Sequence, residues 1–345
     1  MLANVTAASG LFGSESQSHI TNGSTGARQP VSHDHFNARC RARSTERWHI
    51  WDSAEGRLNR IAEIGGRPMT TLPHEKWGLT ESADWWSAGK SSRQQIYGVA
   101  TEMMLELASV QPGSRVLDVA AGTGDQTLMA ARRVGPTGNV LATDDSTSML
   151  KVAAEAARKE GLTNVDTRVM NAEDLELDAD SFDAVICRNA LMLFANPAKA
   201  LTEMRRVVKP ASKVAVIVFS GEERNPHHGI PFAIIRRLGN IPPPAPGEPW
   251  MYALGEPGAL KDVYSRAGFL NVSVHAVPIQ RRLPSAADAI RSMRNSVAEL
   301  RELMSRLNET ERERAWIEIE EQLREFEGPN GLELPGEVLI GVGTK

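Results

Sequence analysis

The chain has 345 residues, 41% of them apolar, enough for one large domain or a domain with appendages. Its 39 basic and 43 acidic residues give a formal charge of -4, so no basic excess advertises a phosphate-backbone partner. Only two cysteines occur, Cys40 and Cys187, which argues against a disulfide scaffold and for a reducing, cytoplasmic setting; no apolar stretch approaches the ~20 residues of a membrane helix.

Residues 1–47 are rich in Ser, Gly, Asn and Arg, poor in acids, and show no apolar period. They read as a disordered tail. An organelle transit peptide shares that bias, whereas a secretory signal would need an apolar block that is absent. Residues 48–95 carry five of the seven tryptophans, at 48, 51, 77, 85 and 86. This aromatic-rich segment suits either a lid over a pocket or packing on the flank of the main domain, which is expected over 96–345. Ile96, Val99, Met103, Met104 and Leu107 predict an amphipathic helix over 96–109, closed by Pro112-Gly113.

From residue 115 the pattern alternates. Strand-like runs are Arg115–Val119, Asn139–Thr143, Val165–Val169, Ala184–Cys187 and Lys213–Phe219, and helical patterns lie at about 125–133, 147–160 and 197–207. Short β-branched runs separated by helices imply parallel strands in a sheet covered on both faces. Right-handed crossovers then place every strand's C-terminal end, and the ligand crevice, along one edge. A Pro-rich stretch over 225–257 is too long for a turn and predicts a substrate-side loop with some helix. A helix at Leu260–Ala267 and strands at Phe269–Ile279 and Glu337–Thr344 complete the order. Between the last two, 285–327 reads as a helix pair, with Asn308 and Glu311 forming a capping box; an insertion there emerges at the ligand edge and suits a cap.

The first strand ends in Asp118, and the chain then turns through Ala120, Ala121, Gly122, Thr123 and Gly124 into a helix. Glycines permit a tight turn and close ligand approach, and the following helix offers free N–H groups. A dinucleotide fingerprint would place a third glycine where Thr127 stands, and Asp118 would repel a pyrophosphate. A nucleoside ligand bearing positive charge fits better. Asp144, ending the second strand, is placed to accept ribose hydroxyls, with capping of the next helix as the alternative.

On these residues the chain resembles the class I S-adenosylmethionine-dependent methyltransferases, most closely the ubiquinone/menaquinone-biosynthesis type and its small-molecule relatives. The likeness rests on Val116 through Thr127, on Ala142-Thr143-Asp144-Asp145-Ser146 and on Asn171-Ala172-Glu173-Asp174-Leu175. It continues in Asp180-Ser181-Phe182-Asp183-Ala184-Val185 and in the run from Ala200 to Pro210. It covers about 96–220, returns weakly at Leu334–Leu339, and does not reach 1–75. The resemblance implies a Rossmann-like, doubly wound seven-stranded sheet, the last strand antiparallel, with helical cap insertions at 225–257 and 285–327. It implies S-adenosyl-L-methionine as cofactor. Asp118, Ala120, Gly122, Thr123 and Gly124 would hold the methionine part, Asp144 the ribose, and Asp145 and Met149 the ribose and adenine. Asn171, Ala172 and Glu173 would border the adenine, and Arg188 would line the crevice through its backbone. Two departures stand out: Ala120 where the family often has Gly, and Pro210-Ala211-Ser212 where Pro-Gly-Gly is usual.

For the methyl acceptor, His227 and His228 follow the fifth strand and are the base candidates by placement; loop histidines without a catalytic role are the plain alternative. Trp85, Trp86 and Tyr252 suit either stacking on an acceptor or packing. No spacing suggests a metal. The Asn/Asp-Pro-Pro-aromatic motif of enzymes acting on flipped bases is replaced by Arg188-Asn189-Ala190-Leu191, which argues against a nucleic-acid substrate. The resemblance implies a small-molecule acceptor. The competing readings are a cofactor-binding subunit or cyclase on the same fold, and a nicotinamide-dependent oxidoreductase. Oligomeric state is not legible.

Overall fold

The apolar runs after residue 115 form the strands they predict. A computed structural model of the chain describes residues 89–296 and 298–345. The expected tail at 1–47, most of the 48–95 segment with all five of its tryptophans, and Cys40 lie outside the described residues.

Helix α1 (Lys90–Leu107) begins six residues before the predicted start and buries Ile96, Tyr97, Ala100, Thr101, Met104 and Leu105. Its buried stripe is rotated from the predicted one, so Val99 points outward and is 78% exposed. There follow β1 (Arg115–Val119), α2 (Asp125–Val134), β2 (Asn139–Asp144), α3 (Thr147–Lys159), β3 (Val165–Val169), β4 (Phe182–Arg188), α4 (Pro197–Val207) and β5 (Val208–Phe219). The last part comprises α5 (Pro226–Leu238), α6 (Pro257–Arg266), β6 (Leu270–Leu283), α7 (Ala286–Ser296), α8 (Ala298–Ser305), α9 (Glu309–Arg324), β7 (Glu327–Gly328) and β8 (Gly331–Thr344).

The sheet order is β3-β2-β1-β4-β5-β8-β6, with the two-residue β7 paired to β8 as a small addition to the expected seven strands. Strands β1 to β5 are parallel, and β8 runs antiparallel between β5 and β6. This is a Rossmann-like doubly wound sheet. The chain steps outward from β1 through α2 and α3, and in the opposite direction from β4 through α4. Right-handed crossovers therefore put α2 and α3 on one face and α4 on the other. Burial on both faces explains the unbroken apolar run Val214 to Val218, all 0% exposed.

Strand β5 starts five residues before the predicted Lys213. Its pairing with β4 jumps from Phe182↔Val208 to Ala184↔Lys213, so Pro210-Ala211-Ser212 bulges out of the ladder and Ala211 adopts φ 62°.

Two strands outrun the sheet. Val338 of β8 pairs with both Phe219, the end of β5, and Val277 of β6, while β6 continues to Leu283 opposite Leu332. Six further residues carry this ribbon about 20 Å past the end of β5. The expected strand boundaries at Ile279 and Glu337 missed it, because Gln280, Arg281 and Arg282 hide the alternation. The expected helix pair after β6 is instead α7, α8 and α9; α7 packs against the other two, and α8 and α9 pack onto α5. Asn308 and Glu311 form the predicted capping box at the start of α9. The Pro-rich stretch, expected as a loop with some helix, is helical over Pro226–Leu238 and irregular from there to the start of α6.

Candidate active site

Register aligns the ends of the central strands. Val119 pairs with Thr143 on one side and Cys187 on the other, so the turn after β1 emerges between Asp144 and Arg188. Three left-handed residues shape it: Ala120 (φ 55°), Gly122 (φ 57°) and Gly124 (φ 84°). A Cβ on Gly122 would meet nothing within 4 Å, leaving open backbone. A Cβ on Gly124 would lie 2.7 Å from Ala153 Cβ, so its absence lets α2 and α3 approach.

Asp118 is 0% exposed. Thr127 Oγ1 donates to its Oδ2 at 2.5 Å and Gln126 Nε2 to its Oδ1 at 3.1 Å. The carboxyl thus braces the turn from within; a ligand in the crevice meets its field more than its oxygens. Burial raises its pKa to about 7, against the pull of those two hydrogen bonds. Asp144 reaches back over the turn. Its Oδ2 accepts from Gly122 N at 2.8 Å and its Oδ1 from Ser146 N at 3.0 Å. Burial, with Asp145 adding to it, lifts this carboxyl to about 6 against those backbone bonds. The capping alternative for Asp144 falls away, because Ser146 caps α3 by accepting from Met149 N. Asp145 is exposed, whereas Met149 is buried.

One strand outward, Met170 N donates to Asp144 O at 3.0 Å, which brings Asn171 and Ala172 to the same edge. Asn171 Oδ1 accepts from Glu173 N, and Glu173 Oε1 from Asn196 N, both at 2.8 Å. Glu173 is therefore engaged by the start of α4.

At the end of β4 the structure corrects the expectation for Arg188. Its side chain, not only its backbone, enters the site: Nη1 donates to Thr101 Oγ1 at 3.1 Å and Nη2 reaches Asp125 Oδ2 at 3.4 Å. Arg93 Nε donates to the same Asp125 oxygen at 2.6 Å, and Arg93 Nη2 to Thr123 Oγ1 at 3.1 Å. This buried ion-pair network ties α1 to the glycine turn. The sequence reading missed Arg93 and Asp125, although Asp125 follows Gly124 directly. Asp125 Oδ1 and Asn189 Oδ1 are buried acceptors without a hydrogen-bond donor among the described residues. Such orphaned acceptors suit a ligand carrying ammonium or hydroxyl donors.

His227 and His228 lie on α5, beside the end of β5, and not in a loop. Their rings meet edge-on at 4.5 Å, and His228 packs on Phe219 at 5.8 Å. Burial, then the charge of Arg281, lowers both: His227 well below its usual range and His228 to about 3. They stay neutral at neutral pH but accept protons poorly. Tyr252 packs on Phe219, Phe232 and Trp250.

Among the described residues, no three His, Cys, Asp or Glu side chains gather as a metal site, and no helix is long and apolar enough to cross a membrane.

Residues 111–231 match the family model described as a methyltransferase domain. A ubiquinone/menaquinone biosynthesis C-methyltransferase of Hydrogenovibrio crunogenus is 42% identical over 117 residues, which is 34% of this chain and 46% of that protein. One from Proteus mirabilis is 36% identical over 151 residues, 42% of this chain and 60% of that protein. The chain thus spans about half the length of these curated relatives. Among solved structures, phosphoethanolamine N-methyltransferase 2 of Haemonchus contortus, in complex with S-adenosyl-L-methionine, aligns over 81% of this chain and 61% of its own. That alignment has 17% identity and a TM-score of 0.49. The matched segment, residues 111–231, is the one that holds the glycine turn, Asp144 and Arg188, and over it the chain is similar to the methyltransferase-domain family.

Proposed function

We propose that the protein transfers a methyl group from S-adenosyl-L-methionine to a small-molecule acceptor. The observation that carries this reading is the Asp144 carboxylate folded over Gly122 at the mouth of an open glycine turn, beside buried acceptors that lack donors. The relatives matched over this segment are C-methyltransferases, which supports the same reaction class. The cofactor supplies a methyl group on a sulfonium, ready for displacement by an aligned nucleophile.

In this reading Gly122, Thr123 and Gly124 offer backbone to the methionine part, and Ala120 shapes the turn. Asp118 contributes negative potential from below it, and Asp125 Oδ1 is a hydrogen-bond acceptor for the ammonium. Asp144 exchanges backbone partners for ribose hydroxyls, with Asp145 beside it, and Met149, Asn171, Ala172 and Glu173 border the adenine. Arg188 holds Asp125 and Tyr97 in place. The helices α5 and α7–α9 cover the acceptor side. His227 and His228 hydrogen-bond the acceptor more readily than they deprotonate it. Taking a proton from a phenol of pKa ~10 onto an imidazole near 3 would cost roughly 10 kcal/mol. A buried thiol at Cys187 is compatible with a reducing, cytoplasmic setting.

Calorimetric titration with S-adenosylmethionine tests the donor site. Wild-type protein binds it, and Asp144→Ala weakens binding at least tenfold without lowering the unfolding temperature appreciably. Wild-type affinity in that variant, or tight NAD(P) binding with none for S-adenosylmethionine, would sink the reading.

A further inference from the structure

Strand β6 alternates faces on its overshooting half. Val277, Ile279, Arg281 and Leu283 turn inward, while Ala276, Pro278, Gln280 and Arg282 are exposed. An inward position that pattern would give to an aliphatic side chain is held by an arginine. Arg281 sits opposite Leu334, four residues beyond the level of Phe219, on the wall beside the strand ends. Its partner is the Tyr97 hydroxyl on α1. No carboxylate offsets it among the described residues, whereas the neighbouring Arg188 has Asp125.

Tyr97 is the first of a row of rings. It meets Phe219 edge-on at 6.2 Å, Phe219 meets His228 at 5.8 Å, and His228 meets His227 at 4.5 Å. His227 is 9% exposed, and its Nδ1 is buried with no hydrogen-bond partner. The two histidines and Phe232 on α5 face Met293 and Leu300 of the covering helices across a closed seam with no room for a water, so an acceptor enters only if these helices part. A half-buried guanidinium without a counter-ion is costly, because desolvation is not repaid by a neighbouring charge. A neutral phenol returns little of it. The missing partner is one that a ligand can bring.

From this arrangement we propose that Arg281, with the Tyr97 hydroxyl and His227 Nδ1, forms an oxyanion subsite for the methyl acceptor. The acceptor class is a planar, unsaturated small molecule bearing a carboxylate or phenolate. The anion pairs with the guanidinium, and the planar body lies along the ring row towards the glycine turn. This rests on the methyltransferase reading above and adds the charge of its substrate. It also removes the need for a strong base before transfer: the phenolate oxygen, or the ring carbon it activates, bonds to the methyl as the carbon–sulfur bond breaks and S-adenosylhomocysteine leaves, and a methylated ring carbon then releases its proton to solvent.

The test uses the full-length chain loaded with S-adenosylhomocysteine and titrated at pH 8 with benzoate, 4-nitrophenolate or neutral benzamide. The expected result is that at least one anion binds ten times more tightly than benzamide. Which anion does so separates the carboxylate from the phenolate. Arg281→Gln erases that preference while leaving S-adenosylhomocysteine affinity within twofold of wild type, and Arg281→Lys restores part of it. Equal binding of all three probes, binding of neither anion, or a preference that survives Arg281→Gln would overturn the proposal. If S-adenosylhomocysteine itself fails to bind, the donor-site reading fails first, and the two failures are told apart.

Discussion

Asp118 and Asp144 are carboxyls held above their ordinary value of 3.8 by burial, at about 7 and about 6. A raised acid stabilises the folded protein fully below its unfolded pKa, and that contribution is lost as pH rises through the folded value. These two carboxyls therefore contribute stability that is lost between roughly pH 4 and 7, whereas the lowered His227 and His228 add stability as pH rises towards 6.5. Thermal unfolding of wild type and Asp118→Asn compared across pH isolates the carboxyl share, and the wild type should lose more stability over that range than the variant. Binding of a cationic cofactor has the opposite slope, because it favours the ionised carboxyls. Affinity for S-adenosylmethionine should climb up to about tenfold per unit below pH 7 and flatten above it. Asp118→Asn keeps the hydrogen-bonding shape better than Ala and should flatten most of that slope. A pH-independent affinity in the wild type would contradict the placement of Asp118 beneath the cofactor. At the same scale, both departures from the family pattern, Ala120 and Ala211, sit at positive φ. Ala211→Gly should stabilise the fold by about 0.5–1 kcal/mol in urea titration, the left-handed strain outweighing the extra chain entropy. These two alanines were legible as departures in sequence, but their backbone angles were not.

The strand–turn–helix unit from β1 to α2 was readable because each local signal agrees, a buried strand followed by small residues at the turn; that Thr127 and Gln126 supply the carboxyl's donors is visible only in the structure. Gly124→Ala tests how tightly the unit is built. A left-handed alanine whose Cβ falls 2.7 Å from Ala153 should cost roughly 2–4 kcal/mol in denaturant unfolding, with weakened cofactor binding. The capping box of α9 was equally legible, and Asn308→Ala should remove about 1 kcal/mol. The β6–β8 ribbon was not legible. Its last outward positions, Gln280 and Arg282, are polar, one inward position is Arg281, and Pro278 and Pro335 fall within β6 and β8, so neither strand reads as an apolar run. The sequence signal that survives is the alternation itself, Val277-Ile279-Leu283 opposite Leu332-Leu334. Arg93 and Asp125 were missed for another reason: ion pairs 32 residues apart leave no local periodicity.

Across the described chain, the sheet order turns local motifs into one edge. β1, β2 and β4 lie side by side, so residues separated by about 20 to 70 positions converge: Gly122, Asp144 and Arg188. Strand and helix order was available from periodicity. The position of β8 between β5 and β6 was not, since pairing partners leave no mark in a single sequence. In the proposed reading the covering helices add the acceptor side, where the charge of Arg281 and the weak basicity of His227 and His228 both favour a pre-ionised acceptor. The account as a whole stands on methyl transfer. Its most direct test incubates the full chain with methyl-labelled S-adenosylmethionine and a small-molecule extract, followed by mass spectrometry of labelled products. The account predicts label in a low-molecular-weight anionic compound, abolished by Asp144→Ala. Cofactor binding with no label in any small molecule would contradict it and point to a binding subunit or cyclase on the same fold.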